Sequence, residues 1–192
     1  MKIGVLALQG GFIEHVNALK RLGAAPFEIR NKHDLDSQDM RGLILPGGES
    51  TVIGKLLFET GLFEPLKNRI DGGLPVFGTC AGMILLAKEI VSDPAVYFGA
   101  INLAVKRNAF GRQLGSFQTT SAFSGIGEIP MTFVRAPFIE KSWGAARILA
   151  SASGHPVAAE QGNILVTAFH PELTDDLRVH DYFLKKAKQS AV

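Results

Sequence analysis

The stretch Leu74-Pro75-Val76-Phe77-Gly78-Thr79-Cys80-Ala81-Gly82-Met83-Ile84-Leu85-Leu86 contains an apolar run, a Gly-x-Cys-x-Gly turn and a second apolar run. This order predicts a short buried strand that turns sharply into a helix, as in a nucleophile elbow with sulfur in place of the serine oxygen. Gly78, Ala81 and Gly82 are small, as such a turn requires, because its backbone approaches the following helix closely. We therefore expect Cys80 at the carboxyl end of a strand, with its thiol pointing out of the turn.

Cys80 is the only cysteine among the 192 residues. At the first turn of a helix, the backbone amides and the helix dipole favour a nucleophilic thiolate. A free cysteine is also among the most frequently buried residues, so a small core side chain is the alternative interpretation. The two flanking glycines and the order of the elements favour the nucleophile.

The composition is that of an ordinary globular protein, with 46% apolar and 20% charged residues and a net charge of +2. We expect one domain spanning residues 1–192, and no partner among nucleic acids or membranes. One cysteine cannot form an internal disulfide, and no Cys/His cluster indicates a metal site, so a cytoplasmic location without metal or other cofactor is predicted. The apolar run at residues 3–8 is too short for a signal segment or a membrane span.

The first half of the chain alternates short apolar runs with segments of helical periodicity. Strands are predicted at residues 2–8, 26–30 and 42–46, helices at residues 12–22 and 62–70, and a loop at residues 31–41. A further helix follows the third strand and carries Val52, Ile53, Leu56 and Leu57 on one face. This alternation predicts an α/β fold of three layers, with a mainly parallel, mixed sheet between helices.

The second half has a different pattern, in which short strand candidates are separated by Gly, Pro and Asn. They are residues 100–105, 116–122, 131–134, 148–152, 157–161 and 164–169. This spacing is typical of hairpins or of an antiparallel extension of the sheet. A last helix is predicted at residues 175–188, with acidic residues in its first turn and lysines at its end.

A second glycine turn follows the strand at residues 42–46 and consists of Gly47, Gly48 and Glu49. Glycines can present bare backbone N–H groups to a ligand, as an oxyanion hole or an anion-binding nest requires. A simple loop between a strand and a helix is the equally weighted alternative.

The sequence Phe169-His170-Pro171-Glu172 follows the last apolar strand. A residue before proline is extended, so His170 and Glu172 can project to similar sides. Glu172 could then orient the imidazole while His170 takes a proton from Cys80, which is the logic of a catalytic triad. All these candidates lie at strand carboxyl ends, where open α/β sheets bind ligands.

The remaining histidines have no such setting. Glu14 and His15 are predicted to form a solvated helix face, and His33 to be exposed. His155 and His180 are predicted to be structural or exposed.

Arg107 and Arg135 lie in the two other polar stretches that could contribute to a site. Either guanidinium could hold a carboxylate through two hydrogen bonds. Both are equally compatible with solvated loop cations, and their spacing does not decide between these roles.

With these motifs in place, the chain resembles the class I glutamine amidotransferases, and within them the PdxT family of glutaminase subunits of pyridoxal 5'-phosphate synthase. The resemblance extends over nearly the whole sequence. It is carried by residues 6–10, 42–51, 78–83, 107–113, 134–137 and 168–173. The Pro-Gly-Gly-Glu-Ser-Thr and Arg-Asn-Ala-Phe-Gly-Arg-Gln runs are the parts most specific to this family.

The resemblance implies a flavodoxin-like sheet and a thiol glutaminase in which Cys80 attacks the glutamine amide, His170 transfers protons and Glu172 orients His170. It further implies an oxyanion hole near Gly47 and at Ala81. The glutamine pocket that it implies is made by Gly47, Gly48, Glu49, Arg107, Val134 and Arg135.

The implied partner is the PdxS family synthase subunit, a (β/α)8 barrel that uses the released ammonia in a large hetero-oligomer. The resemblance also implies weak activity until that partner docks near the Gln9-Gly10 turn. The chain departs from the family around Leu114-Gly115 and at Gln118, where acidic residues are usual.

Two other functions fit the elbow cysteine. One is a DJ-1-like cysteine hydrolase or chaperone, although that group carries a histidine next to the cysteine, where this chain has Ala81. The other is a catalytically silent subunit that only senses glutamine.

Overall fold

A computed structural model of the chain describes residues 1–108 and 115–190. Of the 107–113 motif, residues 109–113 lie outside the described residues, as does Leu114. The strands are β1 (Lys2–Leu6), β2 (Ala25–Ile29), β3 (Leu43–Leu45), β4 (Val76–Thr79), β5 (Ala87–Ile90), β6 (Ile101–Lys106), β7 (Ser116–Phe123), β8 (Gly127–Val134), β9 (Phe138–Ser142), β10 (Arg147–Ala152), β11 (His155–Gln161) and β12 (Ile164–Thr167). The helices are α1 (Phe12–Arg21), α2 (Lys32–Asp36), α3 (Ser50–Glu59), α4 (Phe63–Asp71), α5 (Ala81–Leu86) and α6 (Arg178–Gln189), and Pro171–Leu173 forms a 3-10 turn.

Among the described residues, nine strands form one mixed sheet in the order β2-β1-β3-β4-β12-β11-β10-β7-β8. Its first part, from β2 to β12, pairs in parallel, and the remainder from β12 to β8 pairs antiparallel. The predicted α/β fold is therefore confirmed: a mixed sheet flanked by helices, with the antiparallel extension that the second half of the sequence indicates.

The strand β12 joins the two parts, because it pairs in parallel with β4 and antiparallel with β11. Thr167 at its end lies beside Thr79 at the end of β4. The segment after each strand therefore leaves the same edge of the sheet, which brings Cys80 and His170 together.

Several elements differ from the sequence-based expectation. β5 and β9 were not predicted, and both pair with β6 in a second, three-stranded sheet. β8 begins at Gly127 instead of residue 131, with Pro130 inside it. β8 is an edge strand, and an edge position tolerates a proline because the missing N–H leaves no partner unsatisfied.

Two helices also differ. The short helix α2 replaces part of the predicted loop at residues 31–41, and Asn31 caps it by accepting a hydrogen bond from the Asp34 N–H. α6 begins at Arg178, three residues later than predicted. Since Asp175 and Asp176 precede it, their side chains lie outside the helix.

The core fills the space between the sheet and the helices on either face. The largest fully buried side chains are Phe77, Phe123, Phe133, Phe169 and Phe183. Within the described ranges, no helix combines the length and the apolar character needed to cross a membrane.

The prediction of a solvated face at Glu14 and His15 is wrong for His15. Its side chain is fully buried beneath the sheet edge, as is that of His180 on α6. His33 is exposed, as predicted. His155 is partly buried, and its ring stacks on Phe138.

Candidate active site

Cys80 lies between β4 and α5, on the sharp turn that its sequence context predicts. Its backbone has φ 49° and ψ −100°, in a region that side-chain-bearing residues rarely occupy. The Cys80 N–H donates a 2.7 Å hydrogen bond to the carbonyl of Thr167, which fixes the turn to the neighbouring strand. Strained conformations of this kind persist where the surrounding structure holds them, and they are concentrated at functional sites.

The small residues around Cys80 allow this turn. A Cβ built on Gly82 would lie 2.0 Å from the carbonyl oxygen of Leu45, and one on Gly78 would lie 2.7 Å from the backbone of Gly82. Both distances are far below any permitted contact. Glycine is thus required at both positions because the elbow packs directly against β3 and against itself.

His170 and Glu172 form the second arm of the site. Nδ1 of His170 lies 2.7 Å from Oε1 of Glu172, and the carboxylate is almost completely buried. The His170 N–H donates to the carbonyl of Thr132, which anchors the residue to β8. The two side chains are brought together by the 3-10 turn at Pro171–Leu173, not by a continuous extended segment as expected.

The electrostatic setting favours a charged His170. Burial alone would lower the pKa of its imidazole, but hydrogen bonds and charge interactions with Cys80 and Glu172 raise that pKa from 6.5 to about 10. For Glu172, burial would raise the pKa, but His15 and His170 hold it well below its usual range. The arrangement therefore supports an imidazolium that faces the thiol and a carboxylate behind it.

His15 and His180 lie behind Glu172 and were not identified from the sequence. Nε2 of His15 is 3.4 Å from Oε1 of Glu172 and 3.1 Å from Oγ1 of Thr79. Nδ1 of His15 is 2.9 Å from Nε2 of His180. Only the placement of His15 at the fourth position of a helix with a buried face could have indicated that it points inward.

The diglycine turn borders the imidazole. The carbonyl of Gly47 accepts a 3.0 Å hydrogen bond from the Gly11 N–H, and Oε1 of Gln9 accepts one of 2.8 Å from the Glu49 N–H. The Glu49 side chain caps α3 by accepting hydrogen bonds from both the backbone N–H and the hydroxyl of Thr51. The turn after β1 and the turn after β3 are thus tied together beside His170.

Val134 and Arg135 border the thiol on the opposite side. Sγ of Cys80 lies 4.0 Å from the carbonyl oxygen of Val134. Arg135 is exposed and has φ 44°, so this segment also departs from regular strand geometry.

These residues enclose a cavity of about 310 Å³, within the size range of small-molecule sites. It is lined by Gln9, Gly10, Gly11, Glu14, Gly47, Gly48, Glu49, Cys80, Asn108, Val134, Arg135, His170, Glu172 and Leu173. A larger cavity of about 580 Å³ lies beside α6, but none of the described Cys or His residues lines it.

Arg107 is a predicted pocket residue whose side chain the structure places elsewhere. Its guanidinium forms a 2.8 Å ion pair with Asp93, and it does not line the cavity. The next residue, Asn108, lines the cavity instead. A sequence motif locates the segment, but the backbone direction at Asn108, with φ 45°, decides which side chain turns inward.

Ala81, the other predicted oxyanion-hole residue, begins α5 directly after the thiol. Its N–H therefore belongs to the first turn of the helix, where amides have no partner within the helix. No group of three or more His, Cys, Asp or Glu side chains in the described part of the chain is arranged to hold a metal ion.

The sequence and the fold are also similar to those of known proteins. Residues 5–189 match the SNO glutamine amidotransferase family. The chain is 52% identical over 193 residues to a protein of Streptococcus pneumoniae (strain ATCC 700669 / Spain 23F-1) named pyridoxal 5'-phosphate synthase subunit PdxT, with 100% of both chains covered.

Solved structures show the same fold. One described as a glutamine amidotransferase superposes with a TM-score of 0.91 at 46% identity, covering 97% of this chain and 98% of the other. A putative GMP synthase subunit from Thermoplasma acidophilum superposes with a TM-score of 0.71 at 20% identity, covering 98% and 94%. At that identity the second likeness supports the fold alone. The length of the family match and the identity to full-length relatives together show that this chain belongs to the SNO glutamine amidotransferase family.

Proposed function

We propose that this chain hydrolyses L-glutamine to L-glutamate and ammonia, as the glutaminase subunit of a pyridoxal 5'-phosphate synthase. The observation that carries this proposal is the meeting of Cys80, His170 and Glu172 at one cavity, in a chain of the glutamine amidotransferase family. The 52% identity to a full-length synthase subunit PdxT supports the assignment to this synthase.

In the proposed reaction, Sγ of Cys80 attacks the side-chain amide carbon of glutamine. The imidazolium of His170 gives its proton to the departing amine, which leaves as ammonia, and a γ-glutamyl thioester remains. His170, now neutral, removes a proton from water as the water attacks the thioester, and glutamate leaves. Glutamine and one water thus give glutamate and ammonia, and the thiolate and imidazolium are regenerated.

Glu172 holds the proton on Nδ1 of His170, so that Nε2 is the atom that transfers protons. Gly47, Gly48, Glu49, Val134 and Arg135 line the cavity and are the proposed glutamine-binding residues. Arg107 is a less direct candidate because its guanidinium pairs with Asp93.

The backbone N–H groups near Gly47 and at Ala81 are the proposed oxyanion hole. Two contacts restrain this region: the Gly47 carbonyl accepts from Gly11, and Gln9 accepts from the Glu49 N–H. A partner that moved the Gln9-Gly10 turn would change both contacts. This supports the proposal that activity depends on docking of a PdxS-type barrel subunit, in a hetero-oligomer that uses the ammonia.

We further propose that residues 1–192 act as one glutaminase domain, that no cofactor takes part, and that the enzyme works in the cytoplasm. The single cysteine supports this location, because proteins without disulfides are typical of reducing compartments. The site places a histidine after β12 and Ala81 beside the cysteine, which disfavours the DJ-1-like alternative.

The test is glutamate release from glutamine, measured with and without the barrel subunit. We expect release that the partner stimulates and that Cys80→Ala abolishes. Absence of release in the complex, with glutamine still bound, would instead support a subunit that only senses glutamine. Since Cys80 is the only cysteine, an electrophilic glutamine analogue should label one site, which mass spectrometry can identify.

A further inference from the structure

His15 is fully buried and polar, and the proposed reaction assigns no role to it. It comes from α1, whereas its contacts come from three other segments: Thr79 at the end of β4, Glu172 in the 3-10 turn and His180 on α6. Burying a polar side chain costs free energy unless its polar atoms find hydrogen-bond partners.

His180 is held neutral, and burial is the largest cause that lowers its pKa from 6.5 to about 3. Within the described residues its Nδ1 has no hydrogen-bond partner, while its Nε2 faces His15. A buried N–H without a partner is rarer than a buried lone pair without one, so the proton of His180 belongs on Nε2.

This assignment sets the direction of the hydrogen bonds that run from His180 through His15. The Nε2–H of His180 donates to Nδ1 of His15, which places the proton of a neutral His15 on its Nε2. That N–H then faces its hydrogen-bond partner, Oγ1 of Thr79, 3.1 Å away, and Nε2 also lies 3.4 Å from Oε1 of Glu172.

Oε1 of Glu172 consequently lies between two imidazoles, with His170 on the side of the cavity and His15 on the side of the core. The other carboxylate oxygen, Oε2, has no partner among the described residues. Without His15, His170 would be the one imidazole left beside this buried carboxylate in the described part of the chain.

We propose that His15 is a positioning residue of the active site. It contacts both Glu172 and Thr79, and thereby fixes the orienting carboxylate relative to the end of β4, the strand that precedes Cys80. His180 sets the tautomer of His15. This inference rests on the proposed glutaminase function for its kinetic consequence, but the geometry that it describes can be tested without activity.

Four variants separate positioning from simple packing. His15→Leu removes the donor, and His15→Gln retains one at a position close to that of Nε2. The double variant His15→Leu/His180→Phe replaces both polar partners by apolar groups, which can be nearly neutral for stability. His33→Leu, at an exposed histidine on α2, is the matched control.

The first readout is the titration of the Glu172 carboxyl carbon by NMR, assigned by comparison with Glu172→Gln. Facing His15 are Glu172, His180 and Thr79, and facing Glu172 are His15 and His170. Loss of the His15 donor should therefore raise the titration midpoint of Glu172 by at least about 1 pH unit in His15→Leu, and much less in His15→Gln. An unchanged midpoint in His15→Leu would overturn the proposal.

The second readout is glutamate release by the complex with the barrel subunit. We expect kcat to fall about tenfold in His15→Leu with KM changed less than about twofold, because a displaced orienting group affects the reaction more than binding. His15→Gln should recover most of kcat. The double variant should keep the low kcat although its melting temperature recovers, and a recovered kcat would show a purely structural role.

If the wild-type complex releases no glutamate, the proposed function fails, while the Glu172 titration still decides whether His15 holds the carboxylate.

Discussion

The imidazole of His170 packs directly against the α-carbon of Gly47, so closely that a Cβ on Gly47 would lie 2.3 Å from Cε1 of the ring. The diglycine turn after β3 is therefore one wall of the position that the imidazole occupies. Glycine at position 47 therefore leaves room for the imidazole, and it can also present a backbone N–H to a substrate.

Gly47→Ala should therefore displace His170 from the thiol. A displacement of about 1 Å can reduce turnover about 100-fold, and we expect a loss of this order in partner-stimulated glutamate release. Gly115→Ala is the matched control, because a Cβ there would meet none of the described atoms within 4 Å. Normal turnover in Gly47→Ala would mean that the ring has room to move without consequence.

The strained backbone of Cys80 predicts an unusual order of stability. A residue with φ 49° and ψ −100° carries a conformational cost of about 1–3 kcal/mol that glycine largely avoids. We expect both Cys80→Gly and Cys80→Ala to be inactive, and Cys80→Gly to be the more stable by about 1 kcal/mol in urea unfolding. At an ordinary position glycine is less stable than alanine, so the usual order would argue against strain at the elbow.

The pKa of His170, raised to about 10, predicts that the ring is protonated at neutral pH. Its hydrogen at Cε1 should titrate near that value in NMR spectra, and at a lower pH in Cys80→Ser, because the interaction with Cys80 is one cause of the shift. A midpoint near 6.5 in the wild type would contradict the imidazolium.

The same shift has a consequence for stability. Because the folded-state pKa of His170 is raised, its contribution to the free energy of unfolding is complete below about pH 6.5 and is lost as the pH rises to about 10. Urea unfolding between pH 6 and pH 10 should show this loss in the wild type, and a smaller one in His170→Gln.

Substitutions of the two arginines predicted as pocket residues should differ in their effects on the KM for glutamine. Arg135 lines the cavity, so Arg135→Lys should raise the KM for glutamine more than it lowers kcat, since lysine lacks the two-pronged contact with a carboxylate. Arg107 pairs with Asp93, so Arg107→Lys should leave KM nearly unchanged. Equal increases in KM would place both guanidinium groups on the substrate.

Much of the proposed machinery could be predicted locally. The Gly-x-Cys-x-Gly turn, the diglycine turn and the His-Pro-Glu run each follow an apolar strand. The carboxyl ends of parallel strands lie at one edge of the sheet, so the proximity of Cys80 and His170 follows from the order of the elements. The strands β5 and β9 escaped prediction because their charged residues interrupt the apolar pattern, and their pairing with β6 joins segments that are not adjacent in that pattern.

The amino-acid sequence by itself determined the α/β class, the elbow around Cys80 and the residue types of the triad, because these depend on patterns a few residues long. Only the tertiary structure decided that His15 points inward, that His180 meets it from 165 residues away, and that Asn108 instead of Arg107 faces the cavity. These outcomes depend on contacts between segments that are distant in the chain. Local propensity does not specify which of those segments become neighbours.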